Sequence, residues 1–507
     1  MKAILLALAL ALPLHAANTL TPETPALAPD KTDSPANEAL ELFRQGRHHS
    51  AVAAARPLAE KGDPDALFLL AYASETGQGT EISRENALSF YLKAAEKDHK
   101  EATYRRALIL LNSEDDKERE DGKKALEDAA KTDPSTAGRI LGEAWLRGLI
   151  TKEPDFEKGA EWWTTASEAG DSTSLLLLAR LYSGDFGFRE KADLEKSVAL
   201  YRKAAGLGEA SAYLPLGSRL LNGAEEQRNE KEGREWLAKA IKEEQFAAYL
   251  AIGDYEENVK KNGKAALDAY LKGAEAGQVE CMLRSARFLY QGIAGAKDPE
   301  GGRKWLDKAA EAGSPTAHFE IARLITEDEK PDLMKLYSHL AAAADGGIAL
   351  AQNDLGLFYL SGKLGFADAP AAAAWFTRAA KVGHAPAQNN LATLYERGLG
   401  VDVNLNNAGE LYSLAANQGH GPATTALARL YANGAGTQPN LVKAWALATL
   451  AVERGDEDAK KILGELSPRL TPDLLEKAEK ELEAMKTPKS EETAAPATEE
   501  TDKKDKE

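Results

Sequence analysis

The sequence predicts an all-α chain: an α/α superhelical solenoid of about eleven helix-turn-helix repeats of roughly 36 residues. Three observations carry this. A landmark of two small residues, two spacers and a glycine recurs, as in Ala309-Ala310-Glu311-Ala312-Gly313, Ala379-Ala380-Lys381-Val382-Gly383 and Ala415-Ala416-Asn417-Gln418-Gly419. Its glycines fall at 62, 170, 208, 277, 313, 347, 383, 419 and 455, with Asp98, Asp133 and Glu244 standing in, so that steps run from 33 to 38 residues and 36 predominates. Between landmarks, two segments show apolar residues at i, i+3 and i+4, the spacing of one helical face. Composition agrees: 43% of residues are apolar but only 7% aromatic, so alanine does much of the packing, as stacked short hairpins require.

Within each period the first helix is typified by Leu355-Gly356-Leu357-Phe358-Tyr359 and ends at Gly362. The second carries an aromatic followed by paired alanines, as in Trp375-Phe376-Thr377-Arg378-Ala379-Ala380. The landmark glycine supplies a left-handed C-cap, and the next helix often starts at Asp, Ser, Pro or His. Six of the seven tryptophans (Trp162, Trp163, Trp236, Trp305, Trp375, Trp445) sit at or beside the aromatic position. Their registry with the paired alanines places most of them between stacked hairpins.

These residues resemble a known family. The motif A-x-x-x-L-G-x-L-Y-x-x-G-x-G followed by K-A-x-x-W-Y-x-K-A-A-x-x-G is that of the Sel-one-like repeats, a branch of the tetratricopeptide superfamily. It stands here almost intact as Ala387, Leu391-Ala392, Leu394-Tyr395, Gly398-Leu399-Gly400-Val401, then Leu411-Tyr412, Ala415-Ala416 and Gly419. The resemblance covers roughly residues 38 to 466. It implies a right-handed superhelix whose concave groove serves protein contacts and scaffolding rather than catalysis. Cysteine-rich bacterial relatives carry a disulfide in each repeat, and some bind or hydrolyse β-lactams, which is the alternative reading. This chain has one cysteine, Cys281, in an apolar helix start that points to a buried, inert thiol.

The ends read differently from the repeats. Met1-Lys2, an apolar run from Ala3 to Leu14, then His15-Ala16-Ala17 form the charged, apolar and small-residue regions of a signal peptide, 1–17, cut near Ala16 or Ala17. The expected location is periplasmic or secreted, with a eukaryotic secretory adaptor as the less favoured placement. Residues 18–37 read as a disordered leader, 38–466 as the solenoid, 467–486 as a C-terminal capping helix with Leu474, Leu475, Ala478 and Leu482 in one stripe, and 487–507 as a disordered tail. No stretch after the signal run approaches ~20 apolar residues, so no membrane span is expected. A formal charge of −17 argues against nucleic acid.

No HExxH, P-loop, nucleophile elbow or paired CxxC occurs, so neither catalytic residues, a metal nor a cofactor is expected. The eight histidines fall at positions read as unrelated, and His48-His49 point about 100° apart on a helix. The Gly-x-Gly pairs Gly77/Gly79, Gly398/Gly400 and Gly434/Gly436 recur with the repeat and follow helices, which makes them helix-to-helix turns rather than phosphate loops. The expected partner is a protein or peptide. Four arginines follow a small residue in the first helix, Ala179-Arg180, Ala286-Arg287, Ala322-Arg323 and Ala428-Arg429. By the family's register they face the groove, where guanidinium forks could take carboxylates of an acidic segment or C-terminus. The competing reading pairs each with a Glu of the neighbouring helix, at about 0–1 kcal/mol. Asn353, Asn389 and Asn390 are groove candidates by the same register, and Trp145, alone among the tryptophans, lies in a first helix and is a further one.

Overall fold

The computed structural model describes residues 34–486 apart from 364, 366, 436 and 437. The signal segment, most of the leader, Gly436 and the tail 487–507 lie outside the described residues. Those described form 26 α-helices and no strand, and none of these helices is long and apolar enough to cross a membrane.

The chain divides into two compact units, Met1–Ala269 and Tyr270–Glu507. The first opens on a short pair, Asn37–Arg44 and His48–Glu60. Five hairpins follow: Pro64–Thr76 with Arg84–Ala95, Lys100–Leu111 with Asp116–Ala130, Pro134–Leu146 with Phe156–Glu168, Ser172–Tyr182 with Leu194–Gly206, and Tyr213–Asn222 with Glu230–Lys242. Ala247–Asn258 then precedes Gly263–Glu275, the helix in which the division falls. The second unit holds five more hairpins: Val279–Gln291 with Pro299–Glu311, Pro315–Glu327 with Leu333–Asp345, Ala349–Ser361 with Ala369–Lys381, Ala385–Arg397 with Leu405–Asn417, and Gly421–Asn433 with Leu441–Glu453. Ala459–Leu466 and Pro472–Lys486 end it. Inside each unit helices pack on their sequence neighbours, so each hairpin's apolar face is buried only by the next, as in a solenoid.

Local chemistry explains the punctuation. Second helices start at a short polar residue whose side chain accepts a backbone N–H three positions on, as at Ser83, Asp155, Asp193, Asn229, Asp298, Asp368, Asn404 and Asn440. Each such cap stabilises its helix by about 0.5–2 kcal/mol. All nine landmark glycines have positive φ, and two of the substitutes, Asp98 and Glu244, take the same left-handed conformation at φ 62° and 59°. Asp133 does not: it is the N-cap of Pro134–Leu146, accepting from Thr136 N–H at 3.2 Å, because this period turns one residue earlier. Gly400 is needed for space as well as φ, since a Cβ there would lie 2.3 Å from the Ala369 carbonyl carbon.

The core is set by one register position. The residue eight places after the second-helix N-cap is buried in hairpin after hairpin: Tyr91, Trp163, Tyr201, Leu237, Leu306, Leu340, Phe376, Tyr412 and Ala448. It lies against a small residue of the first helix, and where that residue is glycine the fit is closest. A Cβ on Gly356 would come within 2.6 Å of the Phe376 ring, and one on Gly142 within 2.2 Å of Trp163. This corrects the placement of the tryptophans. Trp163 and Trp305 are buried, but Trp162, Trp236, Trp375 and Trp445 are half-buried. Position seven, where Trp162, Trp236, Trp305 and Trp375 stand, is turned about 100° from position eight and lies at the margin of the core, with Trp305 the most covered of the four at 9% exposure. There Lys239 and Arg378 cover the Trp236 and Trp375 rings at 3.8 and 4.3 Å.

Cys281 is buried. The last helix lays Ala478 and Leu482 on Leu441–Glu453, while Leu475, expected in the same stripe, is exposed.

Candidate functional site

The four first-helix arginines share one position, nine residues after the start of the helix at Asp171, Gln278, Ser314 and His420. The alanine before each is buried at 0–1% exposure, packed on its own second helix. One residue further the helix has turned about 100°, which sends the arginine off that contact.

In the second unit this register builds a cleft of about 540 Å3 between Val279–Gln291 and Pro315–Glu327. Leu283, Tyr290 and Leu324 give it apolar walls, and Arg284, Arg287 and Arg323 bring three guanidinium groups. Glu280, Glu320 and Glu327 alternate with them. Two of the arginines are tied within their own helices, Arg284 Nε to Glu280 at 3.0 Å and Arg323 to Glu320 at 3.5 Å. Arg287 lies 5.0 Å from the Phe288 ring centre. Burial pushes the Tyr290 hydroxyl pKa upward, so the phenol is a hydrogen-bond donor at neutral pH.

The structure thus brings Arg287 and Arg323 into one cleft and leaves the other two elsewhere. Arg180, in the first unit, pairs with Asp185 five residues on at 3.0 Å and covers the Phe186 ring at 4.9 Å. Arg429 reaches back one repeat to Glu396 at 2.9 Å, a carboxylate that also accepts from the Tyr412 hydroxyl at 2.9 Å. Burial first, and then Glu396, pushes that hydroxyl up to about 12. The same carboxylate bridge appears in the first unit, where Glu75 takes Tyr91 and Arg105. Asn353 is buried and is bonded to Asp354 at 3.2 Å and to Asn390 at 3.0 Å across a repeat, while Asn389 is half-buried beside them. Burial raises the pKa of Asp354. Trp145 is half-buried against the cluster around Leu111, Leu126 and Leu141, with no hydrogen bond to its Nε1.

Sequence reasoning missed the order among the histidines. His99, His384 and His420 occupy the same first-helix N-cap and accept from the N–H of Ala102, Ala387 and Ala423 through Nδ1 at 3.2, 3.3 and 3.2 Å. The repeat phase was the available signal, since His384 and His420 each follow a landmark glycine. Burial lowers the pKa of both. A second pair, His318 and His339, meets at 2.9 Å between Nδ1 atoms although 21 residues separate them. Among the described residues no group of three or more His, Cys, Asp or Glu side chains is placed to hold a metal.

A succession of helix hairpins of near-constant length, each packed on its sequence neighbours, defines a helical-repeat protein. Eight segments match the Sel1 repeat family: residues 64–99, 140–171, 172–209, 210–244, 279–314, 349–384, 385–420 and 421–456. The chain belongs to that family. It is 28% identical over 269 residues to the uncharacterized protein NMB1327 of Neisseria meningitidis serogroup B, covering 52% of this chain and 54% of that one. It is 26% identical over 312 residues to chitin synthase regulatory factor 3 of Schizosaccharomyces pombe, covering 57% of this chain and 29% of that one. The chain therefore spans about half or less of the curated relatives it matches. Among solved structures it is similar to c5321, a protective antigen of uropathogenic Escherichia coli with an SLR fold, at 24% identity and TM-score 0.49, covering 88% of this chain and 99% of that one.

Proposed function

We propose that this protein is an exported, non-catalytic docking scaffold that holds a protein or peptide segment in the cleft between Val279–Gln291 and Pro315–Glu327. The observation that carries the reading is the composition of that cleft, apolar walls with three arginines and three glutamates at its margin. Apolar walls take a side chain of the partner, and the alternating charges fix its register and orientation. The in-helix pairs Arg284–Glu280 and Arg323–Glu320 are each worth only about 0.2–0.5 kcal/mol, so a partner carboxylate replaces them at little cost. A planar guanidinium then binds that carboxylate through two parallel N–H bonds. The family's general use of such repeats for protein contacts supports the same reading.

Export rests on the N-terminal pattern of Lys2, the apolar run to Leu14 and the small residues Ala16-Ala17. Host fractionation tests it: a periplasmic or medium fraction holding a chain that starts near residue 17 or 18 supports export, and a cytoplasmic chain with Met1 retained refutes it. The docking test is capture from an envelope or culture-medium extract by the mature chain, beside R287E/R323E and R180A. A specific partner retained by wild type and R180A and lost from the folded R287E/R323E variant supports the cleft. Equal capture by all three removes the cleft from the account, and no protein partner from any compartment refutes the scaffold reading.

A further inference from the structure

The described histidines other than His318 and His339 have local explanations: three cap helices, His48 packs edge-on against Phe43 at 4.5 Å, and His49 lies 3.1 Å from the Gly79 carbonyl. His318 and His339 instead face each other, one from each helix of the hairpin Pro315–Glu327 and Leu333–Asp345. We propose that the two Nδ1 atoms form a bidentate site for a divalent first-row transition metal with tetragonal preference, cupric ion before nickel.

The angle selects the metal. Metal–imidazole bonds are about 2.0–2.1 Å long. Two nitrogens 2.9 Å apart, each about 2.05 Å from a common ion, subtend about 90° at it. That is the cis angle of the square-planar and tetragonal geometries that cupric and nickel ions favour. A tetrahedral zinc ion would need the nitrogens spread to about 3.4 Å, so it fits only after the hairpin opens by several tenths of an ångström. The rings are not stacked, with centroids 5.1 Å apart and planes 43° apart, so each Nδ1 faces its partner and each ring swings by about 45° to aim its lone pair at a common ion.

Both ligands stand on rigid ground. Ala317 and Ile321 flank His318, and Leu336 and Leu340 flank His339, all buried at 5% exposure or less. The imidazoles themselves are half-buried, which leaves an open side for the waters that complete the coordination. Arg303 and Asp307 from Pro299–Glu311, and Lys335 from the helix of His339, are the charged groups that act on His339, and Arg303 holds Asp307 at 2.9 Å. With only two protein ligands the ion exchanges freely; this is a loading site, not a structural centre. The proton balance is neutral. In the empty pair one Nδ1–H donates to the other Nδ1, and on metal binding that proton moves to the Nε2 of the same ring, so both Nδ1 lone pairs reach the metal. The bound ion ties together the two helices of the hairpin whose first helix supplies Glu320, Arg323 and Glu327 to the docking cleft.

The test is a titration of the full chain with cupric chloride followed by electron paramagnetic resonance, on wild type, H318Q, H339Q and the control H49Q. Wild type and H49Q are expected to show one axial cupric species with coupling to two nitrogens. Each single variant should lose one nitrogen coupling and at least about tenfold in affinity, since even loss of a residue that merely orients a ligand costs about 10- to 100-fold. Nickel should follow the same pattern. Long-range 1H–15N imidazole spectra of unaltered protein give a second reading that needs no variant: a substoichiometric addition of cupric ion should broaden both Nδ1 resonances of the pair before those of the capping histidines. Cupric binding of unchanged affinity and unchanged nitrogen coupling in H318Q and H339Q, or cupric broadening that begins at other histidines, overturns the site and leaves the pair a hydrogen bond.

Discussion

Replacing Phe376 by alanine, beside the same change at its neighbour Trp375, tests the packing register shared by nine of the ten hairpins; the hairpin ending in Asp116–Ala130 departs from it, with Lys123 at that position and Leu126 buried instead. Phe376 has 0% exposure, and its ring carbons occupy the space above Gly356 where a Cβ would stand 2.6 Å away. Truncation removes the whole ring from a site whose facing residue has no side chain to collapse into the hole, so the cost is at the full value of about 3–5 kcal/mol. Trp375 is larger but half-buried, with Arg378 over its exposed face at 4.3 Å. About 75–100 Å2 of ring removed from water at about 25 cal/mol per Å2 gives about 2 kcal/mol. The exposed cation–π contact adds about 0.5 kcal/mol. The smaller residue should therefore cost the more, by about 0.5–2.5 kcal/mol. Urea unfolding followed by far-UV circular dichroism measures both, with the m-values compared because repeat arrays can unfold in parts. A loss in W375A equal to or greater than that in F376A would refute the register.

Other consequences follow from single positions. Glu244→Gly relieves a left-handed backbone at φ 59° and should stabilise the first unit by about 0.5–1 kcal/mol, read as a higher urea midpoint at unchanged m-value, and Asp98→Gly should do the same by less, because Asp tolerates that conformation better. R429A should cost no more than about 1 kcal/mol, since Arg429 is 47% exposed, whereas Y412F, which removes the Tyr412 hydroxyl's bond to Glu396, should cost about 1.5–3 kcal/mol by the same unfolding assay. The capping histidines make stability depend on pH. Burial lowers the folded pKa of His384 and His420 below the ordinary histidine value, with Asp354 and Asp456 opposing it, so their contribution is complete above about pH 6.5 and is lost as pH falls through the folded values. The melting temperature should accordingly fall between pH 7 and pH 5, and H384S/H420S, which keeps a neutral cap at both helices, should flatten that fall; an equal fall in the double variant would exclude the histidine caps as its source.

The repeat was legible because it is written in small residues: a glycine that must turn left-handed and alanines that let helices close leave few substitutes, so the period survives even where side chains vary. That same logic located the left-handed turns at Asp98 and Glu244, and it misplaced the turn before Asp133, where an aspartate serves as N-cap and the period is one residue out of step. Which of two adjacent large residues is buried was not legible. Trp375-Phe376 offers two plausible core side chains 100° apart, and only the glycine across the hairpin, Gly356, decides between them. The arginine register was visible, but the sequence could not say which members share a cleft, because that depends on what fills the same position in the next repeat. Between Arg323 and Arg429 it is Leu357 and Thr393. The meeting of His318 with His339 joins position four of a first helix to position seven of a second, a pairing that appears only once the hairpin is built.

The central claim, that a partner segment occupies the cleft between Val279–Gln291 and Pro315–Glu327, is tested most directly by site-specific photocrosslinking in the native host. A photoreactive phenylalanine derivative at Leu324, whose side chain lines the cleft, is compared with the same group at Trp375, at the margin of the core on a second helix. The account predicts one discrete crosslinked protein from position 324, diminished by R287E/R323E, and none of that identity from position 375. Crosslinks to the same protein from position 375 alone, or from 324 undiminished by the arginine changes, would contradict it.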